Sequence, residues 1–562
     1  MPSTTHPSVL DPRTFIQEIY EEERKNVQND KSAAQNTIKN IPQKFMEILN
    51  NETNCKQVIN YEDVNINSLA SGKLVRFECM IQDPNLAKEM QMYAIELRNK
   101  TSREQKLDFV LYSDQTQKVP DNWVVENDHN FSHVVDTEVM YAISIPGRTS
   151  WLKTSNSRVT DDTETSKMSE EFKTQKKTRY PLPSADHSSA VLKFYGNFPS
   201  FKANETIEVY GIFDWMYCCT EGMDNVLWPT IQVLYSKPLP ALYKPNPVMD
   251  KDSLVRTRTK CLQYISESIG KDELVATYLL LLLISRSSST NEKAGKLSVG
   301  ITGVPQLSPS GLDQIVKAPL PTFGICSSSY HHLSVNNLLL KLEKLVPAMV
   351  SVPLSIPLLN QYPFQPNAES EYGLRSGLLQ MAPHTLLVVD ESSLNEGTLL
   401  EQGVRNISAI QKLCSDQKLG FIYPYQQIEV DLDVKSLVLS FKRPILKTDI
   451  LVGLSESAVE VMESMHFENF GEKDVCEMRE YLREACFTNF SIPESLSTII
   501  SEEYAESRKK AHENKEKLPT QSDLFLKLTI ARLLSLSKLE PILSKETWDE
   551  VMQLEGERMS RV

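Results

Sequence analysis

His384-Thr-Leu-Leu-Val-Val-Asp-Glu-Ser-Ser-Leu-Asn-Glu-Gly397 is the stretch on which the reading of this chain turns. Its apolar run, residues 386–389, has the composition of a parallel strand buried on both faces, and it ends abruptly in Asp390-Glu391. In a nucleotide-hydrolysing α/β domain such a pair stands at the carboxyl edge of the sheet. One carboxylate helps to hold Mg²⁺ and the other polarises the attacking water. The same residues also suit a strand that ends in a solvated acidic turn. A phosphate-binding loop upstream separates the two readings.

Lys296-Leu-Ser-Val-Gly-Ile-Thr-Gly-Val-Pro305 occupies the place where that loop belongs. Gly300 and Gly303 read as a remnant of it, but Val304-Pro305-Gln306 follows, and no Gly-Lys-Ser/Thr occurs between Gly295 and Gly324. Without that lysine nothing reaches the β- and γ-phosphates, and Pro305 removes a backbone donor where donors are required. Downstream, residues 436–440 read as the next core strand. Helicase-type ATPases usually carry a polar sensor near its end, yet Phe441-Lys442-Arg443-Pro444 supplies no Asn, and Arg443 before a proline reads as a surface turn. The chain has no Ser-Arg-Phe-Asp, no Gly-x-Ser-x-Gly and no His-Glu-x-x-His. His331-His332 reads as a loop. No catalytic residue, cofactor or metal site is therefore assigned. Asp390 and Glu391 are expected to cap or pair within their own domain.

Length alone, 562 residues, suggests roughly three or four domains. The net charge of -14 argues against a broad nucleic-acid footprint, which needs a dense Lys/Arg surface. The nine cysteines form no CxxC pair, so zinc ribbons and thioredoxin-like sites lack support, and a reducing compartment is expected. The first residues do not read as a signal peptide, and the most apolar run, residues 274–284, reads as a buried helix too short to span a bilayer.

Residues 1–60 are expected to form a helical segment, with Phe15, Ile16, Ile19 and Tyr20 on one apolar face and Phe45, Met46 and Leu49 on another. From 61 to 240, short runs of alternating polarity predict a β-rich domain: 73–84 (closing on Asp83-Pro84), 93–97, 106–112, 139–146, 190–195, 206–213 and 230–235. Their number and spacing suggest an OB-like Greek-key barrel. Such a barrel can bind single strands, but its mixed charge favours protein-facing or structural use. A flexible polar insertion is expected over 154–189. Within it Lys173, Lys176, Lys177 and Arg179 form a candidate nuclear-import signal. Residues 241–253, rich in proline, predict a linker. An α/β domain is expected over 254–510 and closing helices over 511–562, the last of them starting at Ser544 as N-cap with Thr547 in its first turn.

These closing helices, Asp523-Leu-Phe-Leu-Lys-Leu-Thr-Ile-Ala-Arg-Leu-Leu-Ser-Leu-Ser537 and the one after Ser544, resemble those of the minichromosome maintenance helicase subunits. More closely, the chain resembles the minichromosome maintenance complex-binding protein family. Further stretches agree in order: Leu74-Val-Arg-Phe-Glu-Cys-Met-Ile-Gln-Asp83, Ile145-Pro-Gly-Arg-Thr-Ser-Trp151, Leu374-Arg-Ser-Gly-Leu-Leu-Gln380, residues 386–391 and Gly403-Val-Arg-Asn406. The resemblance implies a degenerate AAA+/P-loop-like domain behind the barrel, in a multidomain α+β and α/β chain. It also implies a nuclear, non-enzymatic partner of minichromosome maintenance subunits that contacts chromatin indirectly. By the same resemblance the chain would act in unloading the hexamer from chromatin, in maintaining the subunits and in sister-chromatid cohesion, with no membrane or small-molecule substrate. Two other classes stay open: a divergent ATPase using Asp390 and Glu391, and a single-strand binder through the barrel.

Overall fold

The computed structural model describes residues 6–27, 29–112, 119, 121–126, 133–152, 170–182, 187–217, 226–239, 250–286, 296–305, 333–368, 373–464, 470–515 and 517–561. The expected linker lies mostly outside these residues, as do His331-His332, Gln306 and the first part of the expected insertion.

The helices Pro12–Asn26 and Asp30–Leu49 form where the sequence caps them. Asp11 accepts the Thr14 N–H ahead of Pro12, and Asn29 accepts the Lys31 N–H. Ile16, Ile19, Tyr20, Ile41 and Phe45 turn inward together, whereas Met46 faces outward.

Among the described residues nine strands follow: β1 (Ile59–Asn60), β2 (Leu74–Met92), β3 (Ala94–Asn99), β4 (Gln105–Phe109), β5 (Trp123–Val125), β6 (Val134–Ser144), β7 (Ser189–Tyr195), β8 (Thr206–Tyr217) and β9 (Leu227–Pro238). β3, β4 and β5 make a small side sheet, and β1 adds to the edge of β2. The other five pair in a circuit that returns to its start: β2 with β6, β6 with β7, β7 in parallel with β9, β9 with β8, and β8 with β2. Period-two alternation then sorts side chains to the inside or outside of the circuit. Met140, Ala142, Leu192 and Phe194 join the interior with Phe77 and Ile231. Their neighbours point outward, and here the outside is covered as well. Tyr195 and Tyr210 lie beneath the N-terminal helices, while Val139, Tyr141, Val191 and Trp228 lie against the second half of the chain. β2 does not stop at Asp83-Pro84 as expected. It continues to Met92 through register shifts on either side of Asp83, where a proline without an N–H is tolerated.

The second half is built on five parallel strands: β10 (Ser298–Thr302), β11 (Met349–Pro353), β12 (Leu386–Asp390), β15 (Lys435–Ser440) and β16 (Ile450–Gly453). Their order is β11-β12-β15-β10-β16. A hairpin of β13 (Lys418–Tyr423) and β14 (Gln426–Asp431) stands between the helix Glu401–Asp416 and β15. The apolar run that opened the sequence reading is β12, buried on both faces. Leu386 and Val388 face the helices, and Leu387 and Val389 face the side shared with the strand circuit. The helix Glu273–Ile284 is buried almost all round, as its leucine run predicts.

The closing helices Gln521–Ser537 and Lys545–Ser560 are not a separate layer. They share one core with Glu273–Ile284 and the parallel sheet. Tyr278 donates to Glu555 at 2.7 Å, Arg558 donates to the Leu451 carbonyl at 3.1 Å, and Arg561 reaches Asp272 at 2.8 Å. Thr520 and Asp523 form a reciprocal capping box, so the first of these helices begins earlier than Asp523. Ser544 caps the second, accepting the Thr547 N–H.

Candidate functional site at the carboxyl edge of the parallel sheet

Asp390 ends β12 with its carbonyl accepting the Leu354 N–H, and the Glu391 N–H donates to Leu439 of β15 at 2.8 Å. Both side chains are buried. Asp390 Oδ1 accepts the Ser392 N–H at 2.9 Å, the turn an aspartate makes at a strand end. Glu391 reaches farther. Its Oε2 accepts the Ile445 N–H at 2.8 Å and its Oε1 the Leu446 N–H at 3.0 Å. Burial raises the Glu391 carboxyl above its ordinary range, against the lowering by these two N–H groups and the Ser440 hydroxyl. The two carboxylates thus shape backbone on either side of the strand ends.

Residues 441–449 form the crossover from β15 to β16, and the expected phosphate-loop glycines serve it. Gly300 lies inside β10, paired with Val438 and Leu451, and not in a loop. A Cβ there would stand 2.8 Å from Thr448 Oγ1, so a side chain would push the crossover away from the strand. Gly303, at φ +84°, is in the left-handed region open to glycine. Its N–H donates to the Phe441 carbonyl at 3.2 Å. Gln411 holds the far side of the turn, accepting the Lys447 N–H at 2.8 Å and donating to the Lys447 carbonyl at 3.0 Å. Phe441, Lys442, Arg443, Ile445 and Lys447 remain exposed.

The basic cluster is arranged differently from the expected flexible insertion. Lys173, Lys176 and Lys177 ride on the helix Glu170–Thr178, but Arg179 is 2% exposed. It pairs with Asp83 at 3.4 Å and lies over the Tyr141 ring, while Ser376 donates to its carbonyl. Arg179 is a structural cation, and the four residues do not form one exposed run. Tyr180 and Leu182 follow it into the core.

Sequence reasoning missed the joint between the two halves. The Met349 N–H donates to the Gly147 carbonyl at 2.8 Å, and the Thr149 hydroxyl donates to the carbonyls of Val346 and Pro347 at 3.1 and 2.9 Å. Trp151 Nε1 donates to Glu343 and Val346, with the Arg479 guanidinium 4.0 Å from the centre of its rings. Gly147, at φ +69°, has no room for a side chain, since a Cβ would stand 2.5 Å from the Met349 carbonyl oxygen. The Pro146-Gly147 turn was the available signal, but its partner lies some two hundred residues on.

Among the described residues no group of three or more His, Cys, Asp and Glu could hold a metal ion, and no helix is long and apolar enough to cross a membrane. Burial pushes the Cys261 thiol up to about 12 and the Cys414 thiol to about 11, as in core thiols.

Comparison with known proteins gives these features a family. The profile described as mini-chromosome maintenance replisome factor matches residues 45–177 and 153–562. The chain is 25% identical to the mini-chromosome maintenance complex-binding protein of Danio rerio, over 89% of this chain and 90% of that protein. Against the protein of the same name from Gallus gallus it is 25% identical over 93% and 94%, and against that of Homo sapiens 23% over 93% and 94%. The chain belongs to the mini-chromosome maintenance replisome factor family.

Proposed function

We propose that this chain binds minichromosome maintenance helicase subunits and acts on them as a binding partner or chaperone, without turning over nucleotide. The observation that carries the reading is the use made of Glu391. Its carboxylate, in the position of a catalytic base, instead holds the backbone of the crossover at Ile445 and Leu446. The names of its relatives supply the partner.

The order of the parallel strands supports descent from an AAA+-like domain. Counted along the chain it is 2-3-4-1-5, with the glycine turn after the first strand and the acidic pair after the third flanking the end of the fourth. The strand circuit, 1-2-3-5-4 and back to 1, supports an OB-like reading of the first half. Of its aromatic residues, Tyr141, Tyr195, Tyr210 and Trp228 are buried and unavailable for stacking bases, and Tyr217 at the end of β8 is exposed. The family resemblance extends the proposal to the nucleus, to hexamer unloading from chromatin and to sister-chromatid cohesion. In that setting Lys173, Lys176 and Lys177, on the helix Glu170–Thr178, are the cations proposed for import.

The test is direct binding of the purified full chain to each purified minichromosome maintenance subunit, alongside fluorescent-ATP binding with and without Mg²⁺. Binding to at least one subunit is expected. Recovery of none overturns the reading. Micromolar nucleotide affinity that is lost in Asp390→Ala would favour the divergent ATPase.

A further inference from the structure

We infer that the turn at residues 441–447 is where this chain takes hold of its protein partner, and that it grips an acidic segment carrying apolar side chains. This rests on the reading of the chain as a binding protein, and it names the surface.

The turn concentrates cations and exposed apolar side chains in one short segment. The chain carries a net charge of -14, yet Phe441-Lys-Arg-Pro-Ile-Leu-Lys447 contains three cations and no acid. Nearby cations are paired: Lys412 and Lys418 with Glu429, and Arg405 with Glu401. Among the described residues no carboxylate pairs with Lys442, Arg443 or Lys447. Clustered like charges repel one another, and the Lys442 ammonium, 5.9 Å from the centre of the Phe441 ring, has an aromatic face but no carboxylate to offset that repulsion. Beside the cations stand two large apolar side chains, Phe441 at 43% exposure ahead of them and Ile445 at 59% between Arg443 and Lys447. Apolar anchors ringed by charge are the pattern of a protein interface, with the anchors supplying affinity and the rim supplying approach and register.

The turn is also held ready. Glu391 accepts from Ile445 and Leu446, Gln411 brackets Lys447, Gly303 donates to Phe441, and the Pro444 ring fixes its own φ. The backbone groups are engaged below, so the side chains project from a fixed base. A fixed base lowers the ordering cost of association. Charge complementarity decides the occupant. Three unpaired cations call for carboxylates, and Phe441 with Ile445 calls for apolar side chains beside them. The acidic balance of the whole molecule disfavours nucleic acid.

The experiment uses the full chain and two double variants, Lys442→Glu with Arg443→Glu, and Phe441→Ser with Ile445→Ser. All four positions are exposed, and unchanged melting confirms the fold. Affinity for each purified minichromosome maintenance subunit is measured at about 50 and about 300 mM salt, which spans strong and weak screening. Both variants are expected to bind about tenfold or more weakly. The charge-reversal loss should shrink at the higher salt and the apolar loss should persist. If the wild-type chain binds a subunit and both variants bind it within about twofold of wild type, the inference fails while the proposed function stands. If the wild type binds no subunit, the proposed function falls and takes the inference with it. A fluorescent single-stranded oligonucleotide forms the second arm. Binding by wild type that disappears on charge reversal would make the turn a nucleic-acid site and overturn the inference.

Discussion

Glu391→Gln separates a structural carboxylate from a catalytic one. In a nucleotide-hydrolysing site this substitution removes the base and leaves the fold intact. Here it should act on the fold. Glu391 offers one oxygen to the Ile445 N–H at 2.8 Å and the other to the Leu446 N–H at 3.0 Å. Glutamine keeps one carbonyl oxygen and sets an NH₂ against the other N–H, so one donor loses its acceptor and meets a second donor. A buried group left unpaired costs about 1–3 kcal/mol, and ~2 kcal/mol is a fair centre for one lost bond. Glu391→Ala leaves both donors unpaired and should cost up to twice as much. The loss is local, so hydrogen exchange followed by mass spectrometry on a peptide spanning residues 441–449 is the assay. With each 1.4 kcal/mol worth tenfold, ~2 kcal/mol corresponds to exchange about 30-fold faster at these amides. Exchange at wild-type rates, together with an unchanged melting temperature, would refute the assignment of Glu391 to the crossover.

Gly147→Ala tests the joint between the two halves. The left-handed backbone costs an L-residue roughly 1–2 kcal/mol, and the 2.5 Å approach to the Met349 carbonyl adds to it, so a total loss of about 3 kcal/mol or more is expected. Gly196→Ala has a similar φ but only an ordinary 3.4 Å contact with Ile38 Cγ2, so it should lose roughly 1–2 kcal/mol in thermal melting; equal losses would remove the joint from the explanation. Asp272→Asn tests the tether of the last helix. Burial works to raise the Asp272 carboxyl, but the Arg561 guanidinium and the N–H groups of Ser455 and Val275 outweigh it and hold the carboxyl below its ordinary value of 3.8. The unfolded chain therefore binds the extra proton first as acid is added. The stability from this group is present above that value and is lost as pH falls through the folded one. The variant should lose about 3 kcal/mol near neutrality, with the gap to wild type closing below about pH 4 in urea titrations. A gap constant with pH would contradict the tether.

Local signals in the sequence carry much of the fold. The strands of the first half, the buried β12 and the Ser544 cap follow from alternation, apolar runs and capping chemistry within a few residues. What failed was long-range. The parallel pairing of β7 with β9 and the closure of β8 on β2 depend on register between distant segments. Pro84 resembles the end of a strand because the extra residues of β2 that accommodate it, between Asp83 and Ala87, show as a bulge only against Tyr141 and Val139 of β6. Arg179 was grouped with three lysines in sequence, but Asp83, Tyr141 and Ser376 take it out of solvent. Gly300 and Gly303 suggested a phosphate loop, since nothing near them in sequence announces that Thr448 and Phe441 will lie against them. The acidic pair follows the apolar run in sequence and stands at the end of β12, while the identity of Glu391's partners required the fold.

The shared core between the strand circuit and the parallel sheet sets a condition on how the chain is made. Tyr141, Val191 and Trp228 share a core with Val350, Leu387, Val438 and Leu446, all four of them synthesised later. At about 5–20 residues per second, the interval from Trp228 to Leu446 lasts on the order of 10–40 s. For that time the strands of the first half carry an outer apolar face that lacks the cover of the parallel sheet. A protein proposed to look after other proteins' subunits thus passes, in its own synthesis, through a stage that itself needs shelter.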